Sequence, residues 1–396
     1  MYSESPYRKL SWVEVDAAAL RHNVGEFRRL IGSNRKLLAV VKSNAYGHGL
    51  CETARSALAA AADPSSAGLR RADWLGVFDL DEAARLRDAG IDVPVLIMGD
   101  VSDKGLPEAI ERGFRLTVPS CDMARRVAAA ATRTGRRAVT HIKIETGTNR
   151  QGMASVDAIE AGRVLRASGA VEVEGAYTHF ANIEDTTDHS YAFGQLGTFN
   201  EAIGALERAG IRPSLRHASC SAATILFPET YFEMVRMGIG MYGLWPSRET
   251  RVSAAQEGRT PIDLRPALTW KTRVIQVKDV AAGSFVGYGC TFRATRKMKI
   301  AVLPVGYANG YDRGFSNTAY VLIRGRRAAV TGRVCMNLIM VDVTDIPDAA
   351  AGDEVVLLGR QGDDAITADQ LAAMIGTINY EIVARIDPAA PRVLIG

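Results

Sequence analysis

Cysteine, aromatic residues and long apolar runs are all scarce in this chain. Its five cysteines (51, 121, 220, 290 and 335) are odd in number and none stands in a C-x-x-C pair, which argues against a disulfide framework and against a zinc site. A reducing compartment is the expectation. The first twelve residues, M-Y-S-E-S-P-Y-R-K-L-S-W, hold no apolar core of the kind a signal peptide needs. No run approaches the length of a membrane span, so neither a membrane partner nor a location outside the cytoplasm is expected. Charge of one sign is missing too: 48 basic against 44 acidic residues leave a net charge of +4, with the basic residues dispersed. The clusters at 133–137 and 324–327 have no aromatic comb beside them, read as solvated surface, and predict no nucleic-acid partner.

What is present is length and apolar content. At 396 residues, with 47% apolar and 23% charged side chains, the chain suits two domains, or one barrel plus an appendage. Residues 11–15 alternate like a strand, and Asp16 then caps a helical stretch to Leu30. A rhythm of eight short apolar runs follows, at 37–41, 74–78, 94–98, 115–118, 139–144, 171–178, 214–217 and 234–237. Amphipathic or Ala-rich segments separate them, including 81–89, 120–134, 156–167 and 191–209, and 57–62 and 128–131 read as helix interior. Eight strand–helix units predict a closed (β/α)8 TIM-type barrel rather than an open doubly wound sheet, which usually stops at about five or six strands. After Trp245 the texture changes. Residues 247–265 are polar and irregular, which predicts a linker, and from Leu268 the pattern becomes alternation, with one clear helix at 368–375. The expected domains are a barrel over 11–258 and a mainly-β domain over 259–396, the latter joined by residues 1–10.

The most informative stretch is 36–49, K-L-L-A-V-V-K-S-N-A-Y-G-H-G. Its apolar run reads as a strand buried on both faces and ends on Lys42. An arbitrary lysine there packs its stem and sends its ammonium to solvent. Asn44, Tyr46, Gly47 and Gly49, however, predict a tight loop whose backbone approaches a ligand, and a lysine desolvated beside it can lose its proton and act as nucleophile or base.

V-V-K-S-N-A-Y-G-H-G resembles the pyridoxal-phosphate attachment motif of alanine racemases, usually A-V-V-K-A-[ND]-A-Y-G-H-G, and departs from it mainly at Ser43. The resemblance implies that Lys42 forms the Schiff base with pyridoxal 5′-phosphate and that Tyr46 lies at the cofactor. Other segments resemble the family in the same order. H-I-K-I-E-T-G-T-N-R-Q-G-M (141–153) is similar to K-x-D-T-G-M-G-R-x-G and implies that Arg150 contacts cofactor and substrate carboxylate. T-H-F-A-N (178–182) implies that His179 lies against the pyridine ring. H-A-S-C-S-A-A (217–223) resembles H-x-A-N-S-A-A and implies that Ser221 binds phosphate, with Cys220 in place of the family's Asn. G-I-G-M-Y-G (238–243) formally satisfies G-x-G-x-x-G, but it follows the eighth strand instead of opening an N-terminal βαβ unit, so it predicts a phosphate cradle and no dinucleotide. The resemblance gives that role to Gly238 and Ile239, and Arg236 just before them faces the pyridine nitrogen. An arginine there donates and does not accept, which leaves the nitrogen unprotonated.

In the β domain, V-G-Y-G-C-T-F (286–292) implies a second base, Tyr288. V-G-Y-A-N-G-Y-D-R (305–313) implies Tyr307 and Arg313 at the substrate entrance; G-R-V-C-M-N (332–337) implies Met336 at the substrate carboxylate; T-I-N-Y-E (377–381) implies Tyr380 at the phosphate. Asn309 and Asn337 each replace an Asp of the family pattern.

The implied enzyme is an amino-acid racemase of the isomerase class. It would interconvert L- and D-alanine by a two-base mechanism using Lys42 and the Tyr288 of a partner subunit, in a homodimer with shared sites, and supply D-alanine for bacterial cell-wall peptidoglycan. The alternatives are a racemase of broader or serine specificity, a decarboxylase of the same design, and a non-catalytic carrier of the cofactor. Lys143 either pairs with Glu145 at the surface or, as the resemblance implies, is carbamylated to N6-carboxylysine and orients Arg150.

Overall fold

The structure, a computed structural model, describes residues 10–59, 71–256, 258 and 261–396. Residues 1–9, expected to join the β domain, lie outside the described residues, as do Ala60–Ala62 of the Ala-rich stretch at 57–62 and the expected boundary at 259. Two compact units share the chain. One comprises Ala18–Ser43 and Leu50–Pro266; the other takes the described residues up to Ala17, then Asn44–Gly49 and Ala267–Gly396.

The second unit opens with β1 (Ser11–Asp16), which runs antiparallel to Leu268–Arg273 and parallel to Arg392–Ile395. This corrects the expectation that residues 11–16 belong to the barrel. Alternation identifies a strand without naming its neighbour, and here the strand, with Trp12, Val13 and Val15 buried, pairs within the mainly-β unit. The Lys271 ammonium sits 3.0 Å from Glu14 and 3.1 Å from Glu354, so three neighbouring strands share one half-buried ion cluster. A three-stranded sheet of Gln276–Val280, Met298–Leu303 and Ile339–Asp342 and a short ribbon of Phe285–Val286 with Phe292–Arg293 complete the framework. Helix Asn379–Ala384 stands beside the expected Ala368–Ile375.

The first unit is the barrel. Its strands are β2 (Lys36–Val40), β3 (Trp74–Val77), β4 (Val95–Ile97), β5 (Arg115–Val118), β6 (Ala138–Lys143), β7 (Val171–Tyr177), β8 (Leu215–His217) and β9 (Met234–Met237). All pair in parallel in the order β8-β7-β6-β5-β4-β3-β2-β9. The ring is nearly closed: the Arg236 amide on β9 donates at 3.0 Å to Ser219, two residues beyond β8. Every residue of β3, β4 and β9 is buried, as befits strands covered on both faces. The helices start and stop where side chains satisfy their ends. Ser120 Oγ accepts from the Met123 amide at 3.1 Å to open Cys121–Thr134, and Gly135 closes it in the left-handed region at φ 63°.

One ladder is irregular. Between Thr140 and His141 the β6–β7 register jumps from Val173 to Gly175, leaving Glu174 as the extra residue of a bulge. A second departure concerns the expected linker, which contains the helix Arg248–Gln256. Ser247 Oγ caps it by accepting from the Thr250 amide at 2.9 Å, and Thr250 and Ser253 are its buried contacts. With hydroxyls facing inward, the helix carries no apolar stripe in its sequence. Among the described residues no helix is long and apolar enough to cross a membrane.

Candidate active site

β2 delivers Lys42 to the carboxyl-terminal end of the barrel strands, and the chain then turns the wrong way. Ser43, Asn44, Ala45 and Tyr46 all have positive φ (56°, 53°, 54° and 51°), followed by Gly47 at 83°. One left-handed turn of L-residues costs about 1–2 kcal/mol per residue, so something must hold it. Its own amides close on it, His48 to Ala45 at 3.0 Å and Gly49 to Asn44 at 2.9 Å. The buried His48 donates from Nδ1 to the Tyr46 carbonyl at 3.0 Å, and the Arg392 guanidinium donates to the Gly47 carbonyl at 3.0 and 2.8 Å. A Cβ at Gly47 would lie 2.0 Å from the Val383 carbonyl oxygen. The turn brings the rings of Tyr46 and Tyr380 together, centroids 6.1 Å apart.

Around Lys42 the barrel gathers cations. Lys143 ends β6 and is buried at 7% exposure, its Nζ 4.1 Å above the Tyr177 ring. Burial, then Arg236 and Arg150, push its ammonium well below the ordinary lysine value. Glu145 does not pair with it at a surface: its carboxylate folds back onto its own loop, accepting from the Gly147 amide at 2.5 Å. The Lys42 ammonium is lowered by burial and then by Arg150, with Glu82 opposing. Arg150 is exposed on the loop after β6, and its charge is felt by Lys42, Lys143 and His179 alike.

Arg236 on β9 is 5% exposed and touches no carboxylate among the described residues. It donates to the carbonyls of Thr178 (2.8 Å), His217 (2.9 Å) and Ala218 (2.9 Å), to His217 Nδ1 (2.9 Å) and to His179 Nδ1 (3.4 Å). Burial and the charges of Arg236, Lys143, Arg150 and Lys42 keep His179 neutral, far below the ordinary histidine value. Next to it Ser221 Oγ accepts from the amides of Gly238 (2.9 Å) and Gly240 (3.3 Å), so the hydroxyl retains its own proton for an anion. Gly240 has no room for a side chain, since a Cβ would lie 2.4 Å from the Phe27 ring. Ile239 is buried in the same turn. Cys220 is buried beside them with its thiol pushed up to about 12, first by burial and then by Glu184.

In the other unit the structure brings Tyr288, Tyr307, Arg313 and Met336 to one cavity of about 490 Å³, with Arg333 and Asn337. Tyr288 is 73% exposed on a turn between Gly287 (φ 73°) and Gly289 (φ 71°). A Cβ at Gly289 would lie 2.9 Å from the Arg333 guanidinium carbon, which fixes how closely the turn packs. Asn337 donates to Asn309 Oδ1 at 3.3 Å, a bond two carboxylates could not make.

Three polar residues that the sequence reading gave no role complete the barrel interior: His141, His217 and Glu174. Both histidines open motifs quoted above, and each is fully buried. That repeated position was the available signal; nothing local marks Glu174.

Comparison with known proteins agrees across both units. The family model described as alanine racemase, N-terminal domain, matches residues 15–246, and the C-terminal domain model matches residues 267–394. The alanine racemase of Desulforamulus reducens is 41% identical over 392 residues, covering 97% of this chain and 99% of that one. Among solved structures, alanine racemase from Bacillus anthracis with bound L-Ala-P is 34% identical at a TM-score of 0.88, covering 99% of this chain and 96% of that one. Histidine racemase from Leuconostoc mesenteroides is 26% identical at a TM-score of 0.84, covering 98% and 99%.

His48 gives this geometry a pH signature. Burial lowers it from 6.5 to about 4. In that window the unfolded chain binds the extra proton, so the contribution is fully present above about pH 6.5 and is lost as pH falls toward 4. Urea unfolding at stepped pH is expected to show a steeper acid slope in the wild type than in His48→Gln, a difference approaching about 3 kcal/mol across the window. Equal slopes would contradict a neutral, buried His48.

Proposed function

The chain belongs to the alanine racemase family and is a pyridoxal-phosphate-dependent isomerase that interconverts L- and D-alanine, and we propose that Lys42 and the Tyr288 of a partner subunit are its two bases. The observation that carries the proposal is the burial of Lys42 at the end of β2 with the Arg150 charge acting on it, which lowers its ammonium toward the neutral amine that a base must be.

The residues present fit the cofactor. Ser221, whose Oγ accepts from two amides and keeps its own proton, and the turn at Gly238–Ile239, whose Ile239 side chain is buried away, suit a phosphate; Tyr380 stands at the phosphate with Tyr46 beside it; Arg236 offers a donor to the pyridine nitrogen, and His179 a ring to lie against it. When bound, the cofactor supplies the electron sink that acidifies the substrate Cα–H. Lys42 removes or returns the Cα proton on one face and Tyr288 does so on the other. Because His179 is neutral and accepts from Arg236 at Nδ1, its proton sits on Nε2 and can be donated toward the tyrosine oxygen. Arg236 therefore supplies the charge and His179 the directed N–H. Arg150 holds the substrate carboxylate together with the partner's Met336, and the partner's Tyr307 and the partner's Arg313, which share one cavity with Tyr288, line the entrance.

Lys143 carries the remaining proposal. Its neutral amine is the form that adds to CO₂, giving a carbamate and a proton, and the carboxylate so formed would face Arg150 with a bidentate acceptor. The homodimer is supported by Tyr288, whose exposure suits contact with a second chain. The proposed location is the cytoplasm and the proposed product use is peptidoglycan synthesis. A broader amino-acid specificity is the second reading, favoured by the neutral Asn309–Asn337 pair where the family pattern has two acids.

Mixing inactive Lys42→Ala and Tyr288→Phe chains is expected to restore up to about a quarter of wild-type activity, since random exchange makes half the dimers mixed with one intact site each. No recovery despite demonstrated exchange would sink the shared site. For Lys143, carbon-13 NMR in labelled bicarbonate is expected to show a carbamate resonance that Lys143→Ala lacks, with kcat falling about tenfold in that variant. Absence of the resonance together with undiminished kcat in Lys143→Ala would remove the assignment.

A further inference from the structure

Arg236 is a buried cation that touches no carboxylate among the described residues, yet one stands two imidazoles away. From its Nη1 the contacts run to His217 Nδ1 at 2.9 Å, from His217 Nε2 to His141 Nδ1 at 2.9 Å, and from His141 Nε2 to Glu174 Oε2 at 3.1 Å. Glu174 Oε2 also accepts from Arg115 Nε at 3.2 Å. We propose that Glu174 is a positioning residue for Arg236, acting through His141 and His217, which it locks as neutral Nε2–H tautomers.

The direction of the chain is forced from both ends. A guanidinium only donates, so His217 Nδ1 must accept and its proton sits on Nε2. That proton is donated to His141 Nδ1, which leaves the His141 proton on Nε2, where an ionised carboxylate only accepts. Reversing both imidazoles sets donor against donor at Arg236 and acceptor against acceptor at Glu174, and reversing only one sets like against like between the two rings and at one end of the chain. Protonating either ring adds a charge to the barrel interior and again faces N–H with N–H. Burial first, and the Arg236 charge with it, hold both rings below the ordinary histidine value. Burial alone would raise Glu174, but hydrogen bonds from His141 and Arg115 outweigh it and keep the carboxylate ionised.

The backbone is shaped for this contact. Glu174 is the residue bulged out of the β6–β7 ladder, opposite His141. The next residue, Gly175, leaves the space for the ring: a Cβ there would lie 2.4 Å from His141 Nδ1. His217 is stacked on Tyr177, centroids 4.6 Å apart and planes within 5°, so neither imidazole is free to flip. With His217 fixed as an acceptor, Nη1 of Arg236 is committed to it, while Nη2 donates to the Thr178 and Ala218 carbonyls and lies 3.4 Å from His179 Nδ1.

The test is the tautomers themselves, and only the cofactor-facing consequence rests on the function proposed above. Magic-angle-spinning NMR of holoenzyme with 15N-labelled histidine reads the protonated nitrogen of each of the six imidazoles, with His141→Asn and His217→Asn giving the assignment. Both rings are expected as neutral Nε2–H at pH 7 in the wild type and in Glu174→Gln, whose carbonyl oxygen replaces Oε2. Glu174→Leu should lose the single tautomer and lower kcat about tenfold, with KM changed less than about threefold. An Nδ1–H or doubly protonated ring at either position in the wild type overturns the proposal, as does Glu174→Leu with both tautomers and kcat unchanged. Should Glu174→Leu fail to fold, the wild-type and Glu174→Gln tautomers decide it alone. The same spectra of protein without cofactor separate this result from any failure of the racemase reading.

Discussion

The barrel interior depends on one uncomfortable placement, a guanidinium sealed among carbonyl oxygens and imidazoles with no acid of the described residues in contact. Taking a charge out of water is costly unless its donors find acceptors, and Nη1 and Nη2 of Arg236 find three carbonyls and two ring nitrogens. Its field then acts on what lies nearby. Burial first, and the Arg236 charge after it, lower His179 and Lys143 well below their ordinary values, and burial with Arg150 lowers Lys42. The Lys42 ammonium is thus lowered first by burial and then by its company, the direction that a lysine proposed as nucleophile and base requires.

Strain in the backbone serves the same end. Four successive L-residues in the left-handed region after Lys42 persist only because His48, Arg392 and the tight fit of Gly47 against Val383 leave no alternative. In the β unit, glycines on both sides of Tyr288 let its ring project from a turn that packs on Arg333. Both devices place one reactive side chain at the end of a rigid element instead of on a free loop.

How much of this could be read beforehand follows from which forces leave a local trace. Strands buried on both faces must be continuously apolar, so the eight barrel runs were legible, and β2 to β9 coincide with them to within a residue or two. Motif residues at strand ends were legible because loops after those strands form the site in any such barrel. Partnership was not: the alternation of β1 says strand, whereas its pairing with Leu268–Arg273 is a matter of tertiary packing. The helix Arg248–Gln256 was hidden because Thr250 and Ser253, not apolar side chains, face inward. The Glu174 bulge left no trace either, since one extra residue in a ladder is visible only against its partner strand. Burial of Lys143 was undecidable from spacing, because a lysine two residues from a glutamate fits a surface pair equally well.

The central claim is that protons leave and return to one carbon from two opposed groups, one of them Lys42. The direct measurement is to incubate the protein and pyridoxal phosphate with L-alanine in deuterated water, following chirality and Cα deuterium together. The account predicts an equal mixture of enantiomers with deuterium at Cα in all of the D-alanine formed. Deuterium exchange into L-alanine without any D-alanine would mean a single base working on one face, and would contradict it.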